Sequence, residues 1–189
     1  WQTVNENGET QNLAWIDIYC HGEKNGEISL GETWVKSLKT GDVFTSEREF
    51  PEKIDHLDVS QPQGQNLLIA DETSLPTVAS LLEQWPMTEQ TTPPIILTFL
   101  QSQQDLAYLE DVLAQYPATV LPIVANDNQL PHTQIFTTLQ DFLQQHPHKI
   151  DHIWGGLEAT TTKKLRSLLE DLLQLSRDYS VLKVYWRAS

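Results

Sequence analysis

Acidic and hydroxyl side chains follow directly after an apolar segment near the middle of the chain. The run LLIA (67–70) leads into DETSLP (71–76), where the pattern changes from strand to helix. Thr73 or Ser74 can cap this helix, and Pro76 suits its first turn. Helix starts at the carboxyl ends of parallel strands also bind ligands, and two carboxylates there favour a ribose or an amide over a bare phosphate. The block is therefore either a helix cap or part of a nucleotide site, and both interpretations stay open.

A glycine pair ends a second apolar run, HIWGG (152–156), just before a predicted helix over 158–175. We predict that Gly155 and Gly156 form a turn, because glycine lets the backbone bend and approach a ligand closely. The pair lacks the spacing of a dinucleotide-binding fingerprint, so it is a weak signal by itself. Basic residues on the following helix either meet a phosphate or form a solvated face; they are Lys163, Lys164 and Arg166.

Histidine and cysteine occur in patterns that do not match a metal site or a hydrolase. His146, His148 and His152 lie close together, but their spacing fits no common zinc pattern, and we predict a polar loop there. Cys20 and His21 are neighbours on a predicted strand, so their side chains point to opposite faces and cannot form a nucleophile–base pair. The sequence also contains no Gly-x-Ser-x-Gly elbow and no phosphate-binding loop that ends in Gly-Lys-Ser/Thr.

Apolar runs and amphipathic segments alternate after residue 65. This alternation predicts an α/β fold, namely a five-stranded parallel Rossmann-like sheet with helices on both faces. The strands are predicted over 67–70, 95–100, 120–125, 152–156 and 181–186. Apolar residues recur at three- and four-residue steps in the segments between them, which predicts helices near 75–84, 105–115, 133–145 and 158–175.

The first third of the chain has a different pattern. Short strands punctuated by glycine are predicted over 13–44, with one helical turn at 31–38. A charged connector rich in proline and glutamine follows over 47–65. We therefore predict two domains, 1–60 and 61–189, of which the first is rich in short β-strands.

Composition excludes several classes of protein. The chain has 26 Asp and Glu against 12 Lys and Arg, a net charge of −14, which repels phosphate backbones and makes nucleic-acid binding unexpected. Cys20 is the only cysteine, so no internal disulfide can form, and no apolar run reaches membrane-spanning length. These features favour a soluble protein of a reducing compartment, the cytoplasm. The abrupt start WQTVNENGETQN predicts a fragment of a longer protein.

Four segments together resemble the siderophore-interacting proteins, a branch of the ferredoxin-reductase-like flavoenzymes. They are IDIYCHG (16–22) with Trp34 and Gly41-Asp42 after it, LLIADETSLPTVASLLEQWP (67–86), IWGGLEATTTKKLRSLL (153–169) and VYWRAS (184–189). The resemblance covers nearly the whole chain. It implies that 1–60 is a partial antiparallel β-barrel segment, the end of a flavin-binding β-barrel, and that 61–189 is an NAD(P)H-binding domain. It also implies that an upstream segment completes the barrel.

The resemblance also implies a function. A protein of this family reduces ferric iron in a siderophore with electrons from NAD(P)H that pass through bound FAD. The implied cofactors are thus FAD and NAD(P)H, and the implied partner is a ferric siderophore. Binding the cofactors and docking the anionic iron complex would be the protein's share of the work.

Site residues follow from the same resemblance. Those implied near the flavin diphosphate or ring are His21, Gly22 and Trp34. Those implied to line the nicotinamide-nucleotide crevice are Asp71, Glu72, Thr73, Gly155, Gly156 and Glu158. Tyr185 and Trp186 are implied to lie near the flavin edge, and Leu157 stands where the family has a glycine. No catalytic residue is singled out, and no metal ligand is expected.

Two other interpretations stay open. The first is a non-catalytic or degenerate binding domain of the same fold that acts as a docking or structural partner. The second is a response-regulator receiver, because LLIADE also resembles its first strand, with Asp71 and Glu72 as the acidic pair. The receiver interpretation fits less well, since Asp127 is displaced past Asn126 and Lys183 lies in the middle of a strand.

Overall fold

The computed structural model describes residues 2–4, 6–12, 16–20, 28, 30–43, 45, 64–85, 92–147 and 149–188. The chain is divided into two compact units, Trp1–Glu47 and Arg48–Ser189.

The first unit contains a small hairpin and a short helix. Strands β1 (Gln2–Val4) and β2 (Thr10–Asn12) pair antiparallel, and helix α1 spans Leu30–Ser37. The helix confirms the helical turn expected at 31–38. Residues 16–20, in contrast, form no strand, so the strand predicted there is wrong. The reason is physical: a strand needs a hydrogen-bonded neighbour, and the alternation of apolar residues in 13–22 does not supply one.

The second unit contains a five-stranded sheet in which every neighbouring pair is parallel. This finding confirms the predicted fold class and all five predicted strands. The sequence runs that form the strands are almost continuously apolar, as expected for a sheet that is covered on both faces. The strands are β3 (Gln65–Asp71), β4 (Ile95–Leu100), β5 (Thr119–Val124), β6 (Ile150–Glu158) and β7 (Ser180–Trp186).

The strand order is β5-β4-β3-β6-β7. The chain first winds outward from β3 to β5 and then returns to place β6 on the other side of β3. The strand order therefore reverses between β3 and β6, and open α/β sheets bind ligands at the carboxyl ends of the strands at such a point. A receiver module has its third strand beside its first, so this order rules out the receiver interpretation.

Helices cover both faces of the sheet. Helices α2 (Leu75–Glu83) and α3 (Glu110–Gln115) pack on one face, where the core includes Trp154. On the opposite face, the core is formed with α4 (Pro131–Gln145) and α5 (Ala159–Leu173). We refer to these as the α2/α3 face and the α4/α5 face. Short 3₁₀ helices cover Glu72–Ser74, Gln103–Leu109 and Arg177–Tyr179.

The helix predicted over 105–115 is α-helical only in its second half. Ser102 and Asp105 form a capping box, in which each side chain accepts a hydrogen bond from the other end of the turn. That box starts a 3₁₀ segment, and the α-helix begins only at Glu110. Apolar periodicity predicted one uniform helix because it does not distinguish the two helix types, and 3₁₀ turns are frequent at the N-termini of α-helices.

The turn predicted at Gly155 and Gly156 is wrong, because β6 runs straight through both residues to Glu158. These glycines allow close packing instead. A Cβ atom on Gly155 would lie 2.6 Å from the Cδ2 atom of Leu182, and one on Gly156 would lie 2.7 Å from the Cβ atom of Ser74. Glycine inside a strand often marks such a close approach.

The polar loop predicted around the histidines is wrong for His152. This residue is a buried part of β6, and its ring meets Tyr179 edge-on with 5.1 Å between ring centroids. His146 is exposed at the end of α4, and His148 lies outside the described residues.

Candidate functional site

A cavity of about 320 Å³ lies at the carboxyl ends of the strands, between the sheet and the first turns of α4 and α5. It lies beside the reversal point of the strand order. Its apolar floor includes Phe99 and Leu157, which belong to the core of the α4/α5 face. Its polar lining includes Asp71, Glu72, His132, Glu158, Lys164 and Trp186.

Asp71 is the last residue of β3, and its carboxylate accepts three hydrogen bonds. Its Oδ1 atom accepts from the backbone N–H of Thr73 at 3.0 Å and from the Thr73 hydroxyl at 2.5 Å. Its Oδ2 atom accepts from the indole Nε1–H of Trp186 at 2.8 Å. Burial raises the pKa of this carboxyl, and the hydrogen bonds from Thr73 and Trp186 oppose the change.

The first helical turn after β3 is therefore capped by Asp71, whereas the sequence suggested Thr73 or Ser74. Ser74 precedes α2 but makes no capping bond with its side chain. Pro76 stands in the first turn of α2, as predicted. The acidic residue was free to cap because its backbone is extended at the end of the strand, which is the conformation of an N-cap.

Glu72 connects the ends of two neighbouring strands. Its carboxylate accepts a hydrogen bond from the backbone N–H of Gln101, the residue that follows β4. Burial raises the pKa of Glu72, and the bond from Gln101 opposes that change. The side chain lines the cavity next to Asp71.

Glu158 is the N-cap residue of α5. Its carboxylate accepts a hydrogen bond from the backbone N–H of Thr161 at 2.9 Å. Partial burial acts to raise the pKa of Glu158, but hydrogen bonds from the backbone of Thr161, Thr160 and Ala188 outweigh it and lower the pKa. Glu158 therefore stays ionised and ties the C-terminal segment to the start of α5.

Two basic residues line the cavity, one on α4 and one on α5. Lys164 lines the cavity on α5, and His132 lines it on α4. Partial burial lowers the pKa of His132, and the nearby Lys164 lowers it further, so the imidazole is neutral at pH 7. The sequence predicted three basic residues on α5. Of these, Lys163 and Arg166 do not line the cavity, and Arg166 donates a hydrogen bond to the carbonyl of Leu182 instead.

Other predicted site residues lie on the α2/α3 face. The hydroxyl of Ser74 donates to the carbonyl of Gly156 at 2.7 Å, and the hydroxyls of Thr77 and Tyr185 lie 2.8 Å apart. The ring of Tyr185 also meets Trp154 edge-on, with 6.1 Å between centroids. The hydroxyls of Ser74, Thr77 and Tyr185 thus find partners within the protein, and the Tyr185 ring packs against Trp154.

The structure therefore divides the residues that the sequence grouped together. Those that line the cavity are Asp71, Glu72, Glu158 and Trp186. Thr73 does not line the cavity itself but donates a hydrogen bond to Asp71, which does. Gly155, Gly156 and Tyr185 do not line the cavity. In the first unit, Trp34 is part of α1 and 40% exposed, and Glu32 next to it is buried and paired with Lys36. His21 and Gly22 lie outside the described residues.

Sequence reasoning did not assign His132 or Gln101 to the site. Gln101 directly follows β4, whereas His132 lies in the first turn of α4, beyond the loop that follows β5. The rule that selected Asp71 would have found Gln101, because all parallel strands end at one edge of the sheet.

The lining suits one part of a nucleotide more than another. Carboxylates at Asp71, Glu72 and Glu158 can accept hydrogen bonds from ribose hydroxyls or from a carboxamide. The indole of Trp186 offers a flat surface for an aromatic ring, and Lys164 offers one cation for a phosphate. Thus the residues present fit a nicotinamide riboside with an adjoining diphosphate.

Comparisons with solved structures identify the fold class first. The chain is similar to a mutant form of ferredoxin-NADP+ reductase from Plasmodium falciparum, with 17% identity and a TM-score of 0.61 over 89% of this chain and 70% of that chain. At this identity the likeness shows the fold alone, which is that of the ferredoxin reductases.

Two further structures have names that refer to siderophores. They are the siderophore-interacting protein SipS from Aeromonas hydrophila, with 19% identity, a TM-score of 0.49 and coverage of 68% of this chain and 48% of that chain, and a siderophore utilization protein from T. fusca, with 24% identity, a TM-score of 0.48 and coverage of 66% and 45%. The chain therefore spans less than half the length of these two proteins. No curated protein matches it.

The family model of the siderophore-interacting proteins matches residues 64–189, which is most of the chain. The chain belongs to the siderophore-interacting protein family. This match confirms the resemblance inferred from the sequence motifs.

The described part of the chain lacks two features, a membrane-spanning helix and a cluster of metal-binding side chains. None of its helices is both long and apolar enough to cross a membrane. Among the same residues, no group of three or more histidine, cysteine or acidic side chains is arranged to hold a metal ion.

Proposed function

We propose that the second unit is the nicotinamide-nucleotide domain of an NAD(P)H-dependent, flavin-mediated ferric-siderophore reductase. The observation that carries the proposal is the cavity at the carboxyl ends of β3 and β6, where Asp71, Glu158 and Trp186 converge in a member of this family. Ligands bind at this position in other sheets of the same architecture.

In this proposal the residues of the cavity bind and orient the nicotinamide end of the nucleotide. Carboxylates of Glu72 and Glu158 accept hydrogen bonds from the ribose and the carboxamide, and the Trp186 indole forms a wall beside the ring. Lys164 neutralises part of the diphosphate charge. The floor at Leu157 is apolar and excludes water from one side of the ring.

In this proposal the flavin is bound by the first unit of the chain, as the family resemblance implies. When bound, a flavin supplies the chemistry that links a two-electron hydride donor to two one-electron reductions of Fe(III). Contacts of His21, Gly22 and Trp34 with FAD, and of Tyr185 with the flavin edge, remain predictions from the resemblance. The ferric siderophore is the substrate, and Fe(II) released from it is the product.

Nucleotide binding provides the first test of this proposal. We expect Lys164→Ala to weaken NADPH or NADH binding about tenfold, because a charge-assisted bond to phosphate contributes about 1.5–3 kcal/mol. Lys163→Ala is the matched control, since Lys163 is exposed on the same helix and does not line the cavity. Isothermal titration of the chain with each nucleotide measures both variants. Equal nucleotide affinities of the wild type and Lys164→Ala would contradict nucleotide binding in this cavity.

Turnover provides the second test. The full-length protein should purify with FAD and oxidise NAD(P)H when a ferric hydroxamate or ferric catecholate siderophore is the acceptor. A chelator specific for Fe(II) should report two iron atoms for each nucleotide oxidised. A colourless full-length protein without turnover would contradict the reductase and favour the non-catalytic binding domain of the same fold.

A further inference from the structure

One hydrogen bond joins the two ends of the second unit in the chain. The Trp186 indole, at the end of β7, donates to the carboxylate of Asp71, at the end of β3, from 115 positions away in sequence. The two strands are not neighbours in the sheet, because β6 lies between them. A side chain that reaches across an intervening strand holds its partner in one place only if both ends are fixed.

The Asp71 end is fixed by Thr73. Both the backbone N–H and the hydroxyl of Thr73 bond to Oδ1, which leaves Oδ2 for the indole. The carboxylate is 4% exposed and therefore has little freedom to rotate. The donors of Thr73 and Trp186 share two oxygens, and the backbone of Glu158 also acts on this carboxyl. An asparagine at this position has only one oxygen to offer them.

The Trp186 end lies at an irregularity in β7. The register between β6 and β7 shifts so that Leu157 pairs with Val184 and Glu158 pairs with Trp186, which makes Tyr185 the extra residue. Bulges of this kind re-aim side chains next to functional sites. Here Tyr185 packs against Trp154 on the α2/α3 face, while Trp186 lines the cavity on the other face.

The residues after Trp186 also stay at the cavity. Ala188 lines it, and the backbone of Ala188 lies close enough to the Glu158 carboxylate to help lower the pKa of that group. Two carboxylates, Asp71 and Glu158, thus hold the segment 186–188 against the same opening.

We propose that Asp71 is a positioning residue, which holds the Trp186 indole and with it the segment 186–188 as a fixed wall of the cavity. The inference rests on the proposed function in one respect: the reactant beside this wall is the nicotinamide. Asp71 acts through Trp186, and its carboxylate has no need to contact the nucleotide itself. The wall limits the orientations that the nicotinamide ring can adopt.

The proposal predicts a separation between two ligands. In Asp71→Asn, the single amide oxygen must leave either the Thr73 turn or the indole without its acceptor. We expect NADH and NADPH to bind about tenfold more weakly, since a hydrogen bond to a charged group is lost. ADP lacks the nicotinamide riboside and should bind as it does to the wild type. A general loss of structure would weaken both ligands equally.

Two variants complete the experiment. Trp186→Phe keeps an aromatic ring but removes the N–H donor, so it should weaken NADH binding to a similar extent, and the double variant should add little more. Asp151→Asn is the matched control, because Asp151 accepts a hydrogen bond from the backbone N–H of Gln65 at the amino ends of β3 and β6, away from the cavity. It should leave the affinities for NADH and ADP unchanged.

The indole N–H resonance of Trp186 in a ¹⁵N-labelled sample gives a readout that does not require a ligand. We expect it to move in Asp71→Asn and to stay in Asp151→Asn. An unmoved indole resonance, or unchanged NADH binding in Asp71→Asn, would overturn the positioning role while leaving the nucleotide site in place. Equal losses for NADH and ADP would also overturn it. A wild-type chain that binds neither NADH nor NADPH would overturn the proposed function, and the positioning role with it.

Discussion

At the carboxyl edge of the sheet, polar residues have different surroundings on the two faces. On the α2/α3 face, the hydroxyls of Ser74, Thr77 and Tyr185 find partners within the protein, and Gly156 leaves space that its neighbours fill. On the α4/α5 face, carboxylates converge on an open cavity with an apolar floor. On the first, closed face the polar groups bond to one another, whereas on the second, open face carboxylates line an open cavity.

The difference arises from the residue that follows each strand and from the helix that begins there. A hydroxyl both donates and accepts hydrogen bonds. The Ser74 hydroxyl can therefore bond to the carbonyl of Gly156, and the Thr77 hydroxyl to that of Tyr185, without water. A carboxylate only accepts, and it needs donors from elsewhere. Asp71 and Glu158 find these donors at helix starts, in an indole and in the C-terminal backbone. The carboxylates therefore bring separate parts of the chain together around the cavity.

The largest expected effect comes from filling the space on the closed face. In Gly156→Ala, the new Cβ atom would lie 2.7 Å from the Cβ atom of Ser74 and 2.8 Å from the Cε2 atom of Tyr185. We expect a loss of about 1–3 kcal/mol in the free energy of unfolding, because the packed neighbours must move. Urea denaturation followed by circular dichroism measures this loss.

Gly64→Ala is the control for that experiment. Its Cβ atom would also come within 2.7 Å of a neighbour, but the neighbour is the carboxylate tip of Asp151, which can rotate away. A loss at Gly64 as large as the loss at Gly156 would show that the closed face is not specially packed.

Much of this fold could be predicted from the sequence, because each buried strand is a continuous apolar run with a helix after it. The glycine pair in β6 was misassigned as a turn because glycine both bends a chain and permits close packing, and sequence alone does not distinguish these uses. For the site, Asp71 and Glu158 could be found because each stands at the end of a strand. The bond between Asp71 and Trp186 could not, since it depends on the strand order and on the bulge at Tyr185.

A smaller effect, with a defined pH dependence, is expected on the open face. Glu158→Gln should lower the free energy of unfolding by about 1 kcal/mol at pH 7, as expected for the loss of an N-cap. The pKa of Glu158 is lowered in the folded protein by the hydrogen bonds it accepts, despite the opposing effect of burial. Its stabilising contribution is therefore present above the ordinary glutamate pKa and is lost as the pH falls through the lowered value.

The difference between wild type and Glu158→Gln should thus shrink as the pH is reduced from 7 to 3. Asp71 and Glu72 have raised pKa values, so their contributions have the opposite sign and are lost as the pH rises through those values. Comparing the variant with the wild type at each pH cancels this background. A difference that is constant from pH 7 to pH 3 would contradict the capping role of Glu158.

Two indoles report on the two faces in a single spectrum. Trp186 lines the cavity, whereas Trp154 is 1% exposed on the α2/α3 face. If the cavity is the nicotinamide-nucleotide site, adding NADPH or NADH to the ¹⁵N-labelled chain should shift the indole N–H resonance of Trp186 and leave that of Trp154 in place. A shift at Trp154 without one at Trp186, or no shift at either indole at saturating nucleotide, would contradict the assignment of the cavity.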